Sequence, residues 1–397
     1  GGPQADAEEA VLQQFTETNP AIQVERRNLN QAPQNYLLSP TPPDVMFMWK
    51  GYLFDSALRN QLLANLSDEW TEAGLLDAYD QLFQDAVRYE GSFYMVPGGY
   101  TWTGVYYNRA VFDRYGLTPP QTWQEFLDIC DTLLVNGETP LAIAGQDPFL
   151  GSLWFDYLDL RLNGPQFHRD LLDGRVAYTE PEVETVLDLW WSLVERGYVV
   201  EGPDRVDDMD SVSMLVRGDA QTPLTRQKAV MTLSNPLTVG QLPGPLRDEL
   251  GFFRFPTVDP SQPTGELSII FGYVIPSAAE HRAQAGALVR YLATAEAQQT
   301  LVQKVGADLV WIPVHRGFDR SLLTPSVEAG EAIVQGADQI FPPYVLAVPD
   351  QMAGAMTQVL RTLMRGTTDA PPDLAQLQTV LENARQQAIS AGEYVGE

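Results

Sequence analysis

Two α/β domains are what this sequence predicts, and three observations predict them. At 397 residues the chain exceeds what one hydrophobic core supports. Apolar residues make up 44% and aromatic residues 10%, a globular composition that argues against wholesale disorder. Segments with strand alternation and segments with helical period follow one another along the whole length. Pattern alone carries the assignment to two α/β layers and no further.

The elements follow in order. Residues 4–18 read as a helix, with Ala7, Ala10, Val11, Gln14 and Phe15 on one face and Asn19-Pro20 as the stop. AIQVE (21–25) alternates like a strand. A helix preceded by Gly1-Gly2 and followed by a strand looks like the second half of a βαβ unit, which leaves room for a first strand upstream. PPDVMFMW (42–49) is a continuous apolar run, expected as a strand buried on both faces. SFYMVPGGYTW (92–102) is expected as a further strand ending in a glycine-rich turn. Three capping-box patterns announce helices: Thr122-x-x-Glu125, Thr179-x-x-Glu182 and Ser277-x-x-Glu280. After the first, Trp123, Phe126, Leu127, Cys130, Leu133 and Leu134 repeat at helical spacing. After the second, Val183, Val186, Leu187, Trp190, Leu193 and Val194 do the same, and these rings are assigned to core. GFFRFP (251–256) and ELSIIFGYVIP (266–276) read as strands, 278–305 as helices, and GADLVWIPVH (306–315) as an extended return. The tail, 350–397, is helical again with a break from Arg365-Gly366 to Pro372. DRVDDMD (204–210) reads as a solvated loop, with a calcium site as the alternative, one that lacks the ligand spacing and glycine of an EF-hand.

Composition narrows the function classes. The formal net charge is −27, and Lys50, Lys228 and Lys304 are the only lysines. Such a surface repels phosphate backbones and anionic lipid, which argues against nucleic acid or a membrane surface as partner. A small anionic ligand stays possible, because a pocket's local field can differ from the far field. No run of 18 apolar residues occurs, and the sequence moves from Gly1-Gly2-Pro3 directly into helical pattern without the features of a signal peptide. The single cysteine, Cys130, excludes an internal disulfide and falls on the apolar face of a helix, where a buried inert thiol is expected. No H-E-x-x-H, G-x-S-x-G, G-x-x-x-x-G-K-[ST] or helix-opening G-x-G-x-x-G is present, and three scattered histidines do not suggest a metal centre. These absences favour binding over turnover, with no catalytic residue and no cofactor expected. Paired carboxylates for glycoside hydrolysis need no local motif and remain an alternative.

The segment GVYYNRAVFDRYGLTPPQTWQEFLDICDTLL (104–134) resembles the extracytoplasmic solute-binding proteins of ABC importers, most closely the maltose and oligosaccharide-binding type. The resemblance rests on Tyr107-Asn108, Phe112, Gly116-Leu117 and Pro120-Gln121-Thr122-Trp123 followed by Glu125. Pro43-Asp44-Val45 leading to Trp49, RQKAVMTLSN (226–235) and ALVRYLATAEAQQTLVQKVGADLVWIPVH (287–315) match further family segments in the same order. Where the family commonly has an aromatic after the A-A-M strand, this chain reads Ser234-Asn235-Pro236-Leu237, which removes one stacking platform. QAPQNYLLSPTPPD is also shorter and richer in proline than its family counterpart.

The resemblance implies a two-lobed periplasmic-binding-protein fold of the class II type, with a multi-strand hinge and an interlobe cleft. It puts residues 1–104 with 265–313 in the N-terminal lobe and 105–264 with 314–397 in the C-terminal lobe, with crossings near 101–106, 257–266 and 309–315. It implies the substrate-binding component of an ABC importer: an extracytoplasmic monomer, lipid-anchored in its precursor, that hands a carbohydrate to a membrane permease. A non-sugar solute, such as a glycerol phosphodiester, a polyamine or ferric ion, is the alternative. Aromatic rings suit the apolar C–H face of a pyranose, while its polar rim needs paired donors and acceptors once water leaves. Rings and polar groups coincide at Trp49-Lys50, at Tyr100-Thr101-Trp102, and at Trp154 with Asp156; Asn235, Trp311 and Tyr344 complete the candidate ligand set. Several also have plain structural readings: Lys50 as an exposed charge, Trp154 as helix packing, Trp311 before Ile312-Pro313 as hinge packing, and Tyr344 after Pro342-Pro343 as surface or core.

Overall fold

A computed structural model describes residues 3–28, 30–216, 227–306 and 309–394. The opening Gly1-Gly2, Arg226 of the RQKAVM segment and Ala307-Asp308 of the return segment lie outside the described residues. The strands are β1 (Met46–Trp49), β2 (Arg88–Tyr89), β3 (Ser92–Phe93), β4 (Val96–Tyr100), β5 (Gly104–Asn108), β6 (Leu141–Ala142), β7 (Met231–Ser234), β8 (Leu250–Phe253), β9 (Gly265–Leu267), β10 (Ile270–Val274) and β11 (Gln339–Phe341). Internal contacts group the chain into two units, 1–101 with 268–332 and 102–267 with 333–397. The changeovers therefore follow residues 101, 267 and 332, where the sequence expectation has 104, 264 and 313.

The first unit is built on an antiparallel sheet in the order β1-β10-β4. Helix Pro3–Thr18 forms as its apolar face requires, and Val11 and Phe15 pack against Leu288, Leu292 and Ala297. Two expectations are corrected here. Ile22 and Val24 pack on that same cluster, but no strand pairs with residues 21–25 among the described residues; the alternation marks one-sided packing. β1 is likewise buried on one face only, because Met46 and Met48 point into the core while Phe47 and Trp49 stay 43% and 46% exposed.

Residues 92–102 do not form one strand. Ser92–Phe93 closes a hairpin with β2 through Glu90 and Gly91, both at positive φ. Gly98 and Gly99 then lie inside β4 and not in a turn after it. Residues 266–276 also split, β9 joining the second unit and β10 the first.

The second unit holds a four-stranded sheet, β6-β7-β5-β8, in which β5 runs antiparallel to β7 and β8 and β6 is parallel to β7. Strand alternation sends Val105, Met231, Leu233 and Phe253 toward the core shared with helices Trp123–Val135 and Pro148–Leu162. The opposite face presents Tyr106, Ala142 and Leu250 to helix Asp208–Val216. Helices Pro181–Glu195, Asp350–Arg365 and Leu374–Ser390 close the first core, and β9 pairs in parallel with β11. Cys130 is buried there, and burial pushes its thiol above the usual range.

Of the three capping boxes only the first forms. Thr122 Oγ1 accepts from the Glu125 N–H, and Glu125 Oε2 accepts from the Thr122 N–H at 3.0 Å. The second helix starts at Pro181 behind Glu180, because proline presets the first helical φ and needs no capped N–H. The third starts at Arg282 behind His281, whose N–H is held instead by Asp44 Oδ1 at 2.8 Å. The 204–210 run is not simply loop: Pro203–Arg205 is a 3-10 turn, Asp208 opens a helix and Val206 is buried between them. Among the described residues, no helix is long and apolar enough to cross a membrane.

Candidate functional site

In the first unit, the alternation of β1 places Phe47 and Trp49 on one face of the sheet, and the register sets Tyr273 and Phe271 of β10 opposite them. Phe47 lies 5.3 Å from Phe271 and 6.1 Å from Tyr273, centroid to centroid. The next strand answers with glycine. A Cβ at Gly99 would stand 2.6 Å from Phe271 Cζ and 2.7 Å from Trp311 Cδ1, so both rings lie directly over the backbone of β4. Trp311 reaches this place because Tyr100 and Ile312 exchange backbone hydrogen bonds of 3.0 and 2.7 Å. Its ring then meets Phe271 edge-on at 6.3 Å. The result is an aromatic face of Phe47, Trp49, Phe271 and Trp311, with Trp49 its most exposed member.

Lys50 adds a fixed charge at the rim. Its ammonium bonds both oxygens of Asp55 at 2.7 Å and lies 5.6 Å from the centre of the Phe54 ring. An exposed indole beside a lysine–carboxylate pair offers an apolar plate next to donors and acceptors. Tyr100 and Thr101 belong elsewhere. The Tyr100 ring is buried 4.5 Å from Phe83. Thr101 is consumed by the neighbouring segment, its Oγ1 accepting from the Ile269 N–H and its carbonyl from Ser268 Oγ. Both side chains are buried. Gly99→Ala is expected to displace Trp311 and destabilise the first unit by about 1–3 kcal/mol, checked by urea unfolding and by a change in tryptophan emission.

In the second unit, Trp102 stacks on Phe252 at 5.9 Å and is only 2% exposed. Asn235 is the N-cap of the short helix Pro236–Val239, its Oδ1 accepting from the N–H groups of Leu237 and Thr238. That explains the asparagine where the family pattern has its aromatic loop: the side chain is spent on the backbone. Trp154 sits in the core between Phe126 at 6.2 Å and Phe255 at 5.7 Å.

Asp156 and Tyr344 are brought together, but inside the core. Asp156 Oδ2 accepts from the Tyr344 N–H at 2.9 Å, and the Tyr344 hydroxyl bonds that of Tyr178 at 2.7 Å. The other oxygen, Oδ1, lies 3.9 Å from His168 Nε2, and neither atom has a hydrogen-bond partner. His168 Nδ1 bonds Asp159 Oδ2 at 2.7 Å, and Asn163 donates to Asp159 Oδ1. Burial pushes the Asp156 carboxyl up to about 7, opposed by the charge His168 can carry. Trp154, Asp156 and Tyr344 thus lie in the interior, with helix Pro148–Leu162 buried from Leu150 to Arg161. Sequence reasoning missed Phe47 and Phe271, whose signal was the Phe-x-Trp and Phe-x-Tyr alternation opposite Gly98-Gly99. It also missed Asp159 and His168, signalled by two carboxylates three residues apart in an otherwise apolar helix.

A family model described as bacterial extracellular solute-binding protein matches residues 1–299. An uncharacterized ABC transporter extracellular-binding protein of Pyrococcus horikoshii is 22% identical over 368 residues, 84% of this chain and 78% of the relative. The multiple sugar-binding protein of Streptococcus mutans is 23% identical over 73% of this chain and 68% of its own. Among solved structures, the bacterial solute receptor AcbH, described as having an exclusive preference for β-D-galactopyranose, superposes with a TM-score of 0.83 at 22% identity, over 98% of this chain and 95% of its own. RafE in complex with raffinose gives 0.71 at 17% identity, over 96% and 97%. At these identities the structural likeness establishes the fold.

Proposed function

The chain belongs to the bacterial extracellular solute-binding proteins, and from that premise we propose that it captures a sugar or oligosaccharide and delivers it to the membrane permease of an ABC importer. The family consists of binding proteins and not enzymes, it works outside the cytoplasm, and its fold is two-lobed α/β. Attachment of the precursor by a lipid and a monomeric state belong to the same proposal. The observation that carries the sugar reading is the aromatic face over Gly99, where Trp49 stands 46% exposed beside the Lys50–Asp55 pair. Burying the C–H face of one pyranose against an indole contributes on the order of a few kcal/mol at about 25 cal/mol per Å². The ammonium and carboxylate meet the hydroxyl rim. Trp49, Lys50 and Trp311, all in the first unit, are the proposed contacts. The sugar-binding names of several relatives support the same reading.

The test is a thermal-shift titration of the wild type and Trp49→Ala against mono- and oligosaccharides. Trp49 is the better probe than Trp102, because removing a ring packed on Phe252 costs about 3–5 kcal/mol of folding energy by itself. A ligand at 100 times its dissociation constant stabilises by about 2.7 kcal/mol. The expected result is a stereospecific shift in the wild type that disappears in Trp49→Ala while the melting of the unliganded variant stays within about 1 kcal/mol of wild type. No shift with any sugar, together with a shift from a glycerol phosphodiester, a polyamine or ferric ion, overturns the sugar reading.

A further inference from the structure

Glu266 is fully buried in the second unit, yet it carries a carboxylate. Its Oε1 accepts from Arg161, itself buried, and from Arg254 Nε at 2.5 Å; its Oε2 accepts from the Tyr157 hydroxyl at 2.9 Å. Each of these three partners also touches a backbone carbonyl. The Tyr157 hydroxyl lies 3.2 Å from the Thr103 carbonyl oxygen, so its single proton serves either acceptor. Arg161 donates to the carbonyls of Gly265 and Phe255, and Arg254 donates to that of Gly336 at 2.9 Å.

Three of those four carbonyls, those of Thr103, Gly265 and Gly336, have one property in common. The chain passes from one unit to the other after residues 101, 267 and 332. Thr103 is the second residue of the unit after the first passage. Gly265 and Glu266 are among the last three before the second, and Gly336 is the fourth after the third. One buried side chain therefore links the roots of all three connections. Packing alone does not call for a charge here, since buried ion pairs are often no more stabilising than apolar residues of similar volume. What directional hydrogen bonds add is a fixed orientation for each carbonyl.

We propose that Glu266 is a positioning residue that gathers the roots of the three connections into one anchor, so that they loosen together and not one by one. This inference stands apart from the identity of the ligand. It is tested by native-state amide exchange on the whole unliganded protein, comparing wild type with Arg254→Gln and Tyr157→Phe. Both variants keep the Arg161–Glu266 pair, and Arg254 is part-exposed, so a folded protein with cooperative melting is expected. Among the described residues, Arg254 donates to Glu266 and Gly336. Its replacement is nevertheless expected to quicken exchange about tenfold at residues 103–106 as well as at 336–339. The Tyr157 hydroxyl bonds the Thr103 carbonyl and Glu266, and Tyr157→Phe is expected to quicken 336–339 in return. Glu266→Gln should quicken both stretches together with 265–269. Effects confined in each variant to the segment its own side chain touches would overturn the proposal and leave Glu266 as a local core residue.

Discussion

Arg161→Met destabilises the second unit by about 3–5 kcal/mol, the cost of taking the buried partner from a buried charge and leaving it only the part-exposed Arg254. The Arg161 side chain is 5% exposed and that of Glu266 is not exposed at all, so water cannot replace the guanidinium. Met continues the helix and fills much of the aliphatic volume, which confines the loss to the polar end. That end gives up the Glu266 carboxylate and the carbonyls of Gly265 and Phe255 in one step, and it also leaves the face of the Tyr157 ring, whose centre is 5.1 Å away. Urea unfolding of wild type, Arg161→Met, Glu266→Leu and the double variant checks this. The double variant should be less damaged than the sum of the singles by roughly 2 kcal/mol or more, because it buries neither charge. Additive losses, or a single-variant cost below about 1 kcal/mol, would show that the pair does not hold the unit together.

Stability should also fall as pH rises toward neutrality, through Asp156. Its ordinary value is 3.8, and burial holds it at about 7 in the folded chain. Below 3.8 both states are protonated and the burial costs nothing. Between the two values the unfolded chain ionises while the folded chain keeps its proton, so stability falls as pH rises. Above 7 the whole cost is present, up to roughly 4 kcal/mol. The groups facing this carboxyl come from several elements. His168 lies on helix Gly164–Leu172, Asp159 one turn along its own helix, Tyr344 on the short helix Tyr344–Ala347, and Tyr178 behind Tyr344. Asp156→Asn keeps an oxygen for the Tyr344 N–H and removes the titration. Denaturant unfolding at pH 5 and pH 8 should show a smaller difference between the two conditions in the variant than in the wild type, with the variant more stable at pH 8. An unchanged difference would assign the pH dependence to other groups.

The structure also shows which local signals could be trusted. The Thr122–Glu125 box was legible because both of its hydrogen bonds close within four residues. The same pattern failed at Thr179 and Ser277, where Pro181 and the distant Asp44 took over the helix start. Gly98-Gly99 carried an ordinary turn signal, and antiparallel pairing with β10, far along the chain, made it strand. A ring count could nominate Trp49, Trp102 and Trp154 alike, yet only Trp49 has a substantially exposed face.

What the sequence determined by itself is whatever local hydrogen bonding and hydrophobic period dictate. That includes the helices 123–135, 181–195 and 350–365, the burial of Cys130, the division into two α/β parts and, through ordered motifs, the family. Only the tertiary structure decided which aromatic side chains stay open to solvent and which carboxylates are buried. The seating of Phe271 and Trp311 depends on Gly99, which is far from both in the sequence. The charge at Glu266 survives burial because Tyr157 and Arg161 arrive together on helix Pro148–Leu162 and Arg254 arrives from a second segment, just after β8. Such long-range partners set the desolvation cost of each polar group, and no window of neighbouring residues contains them.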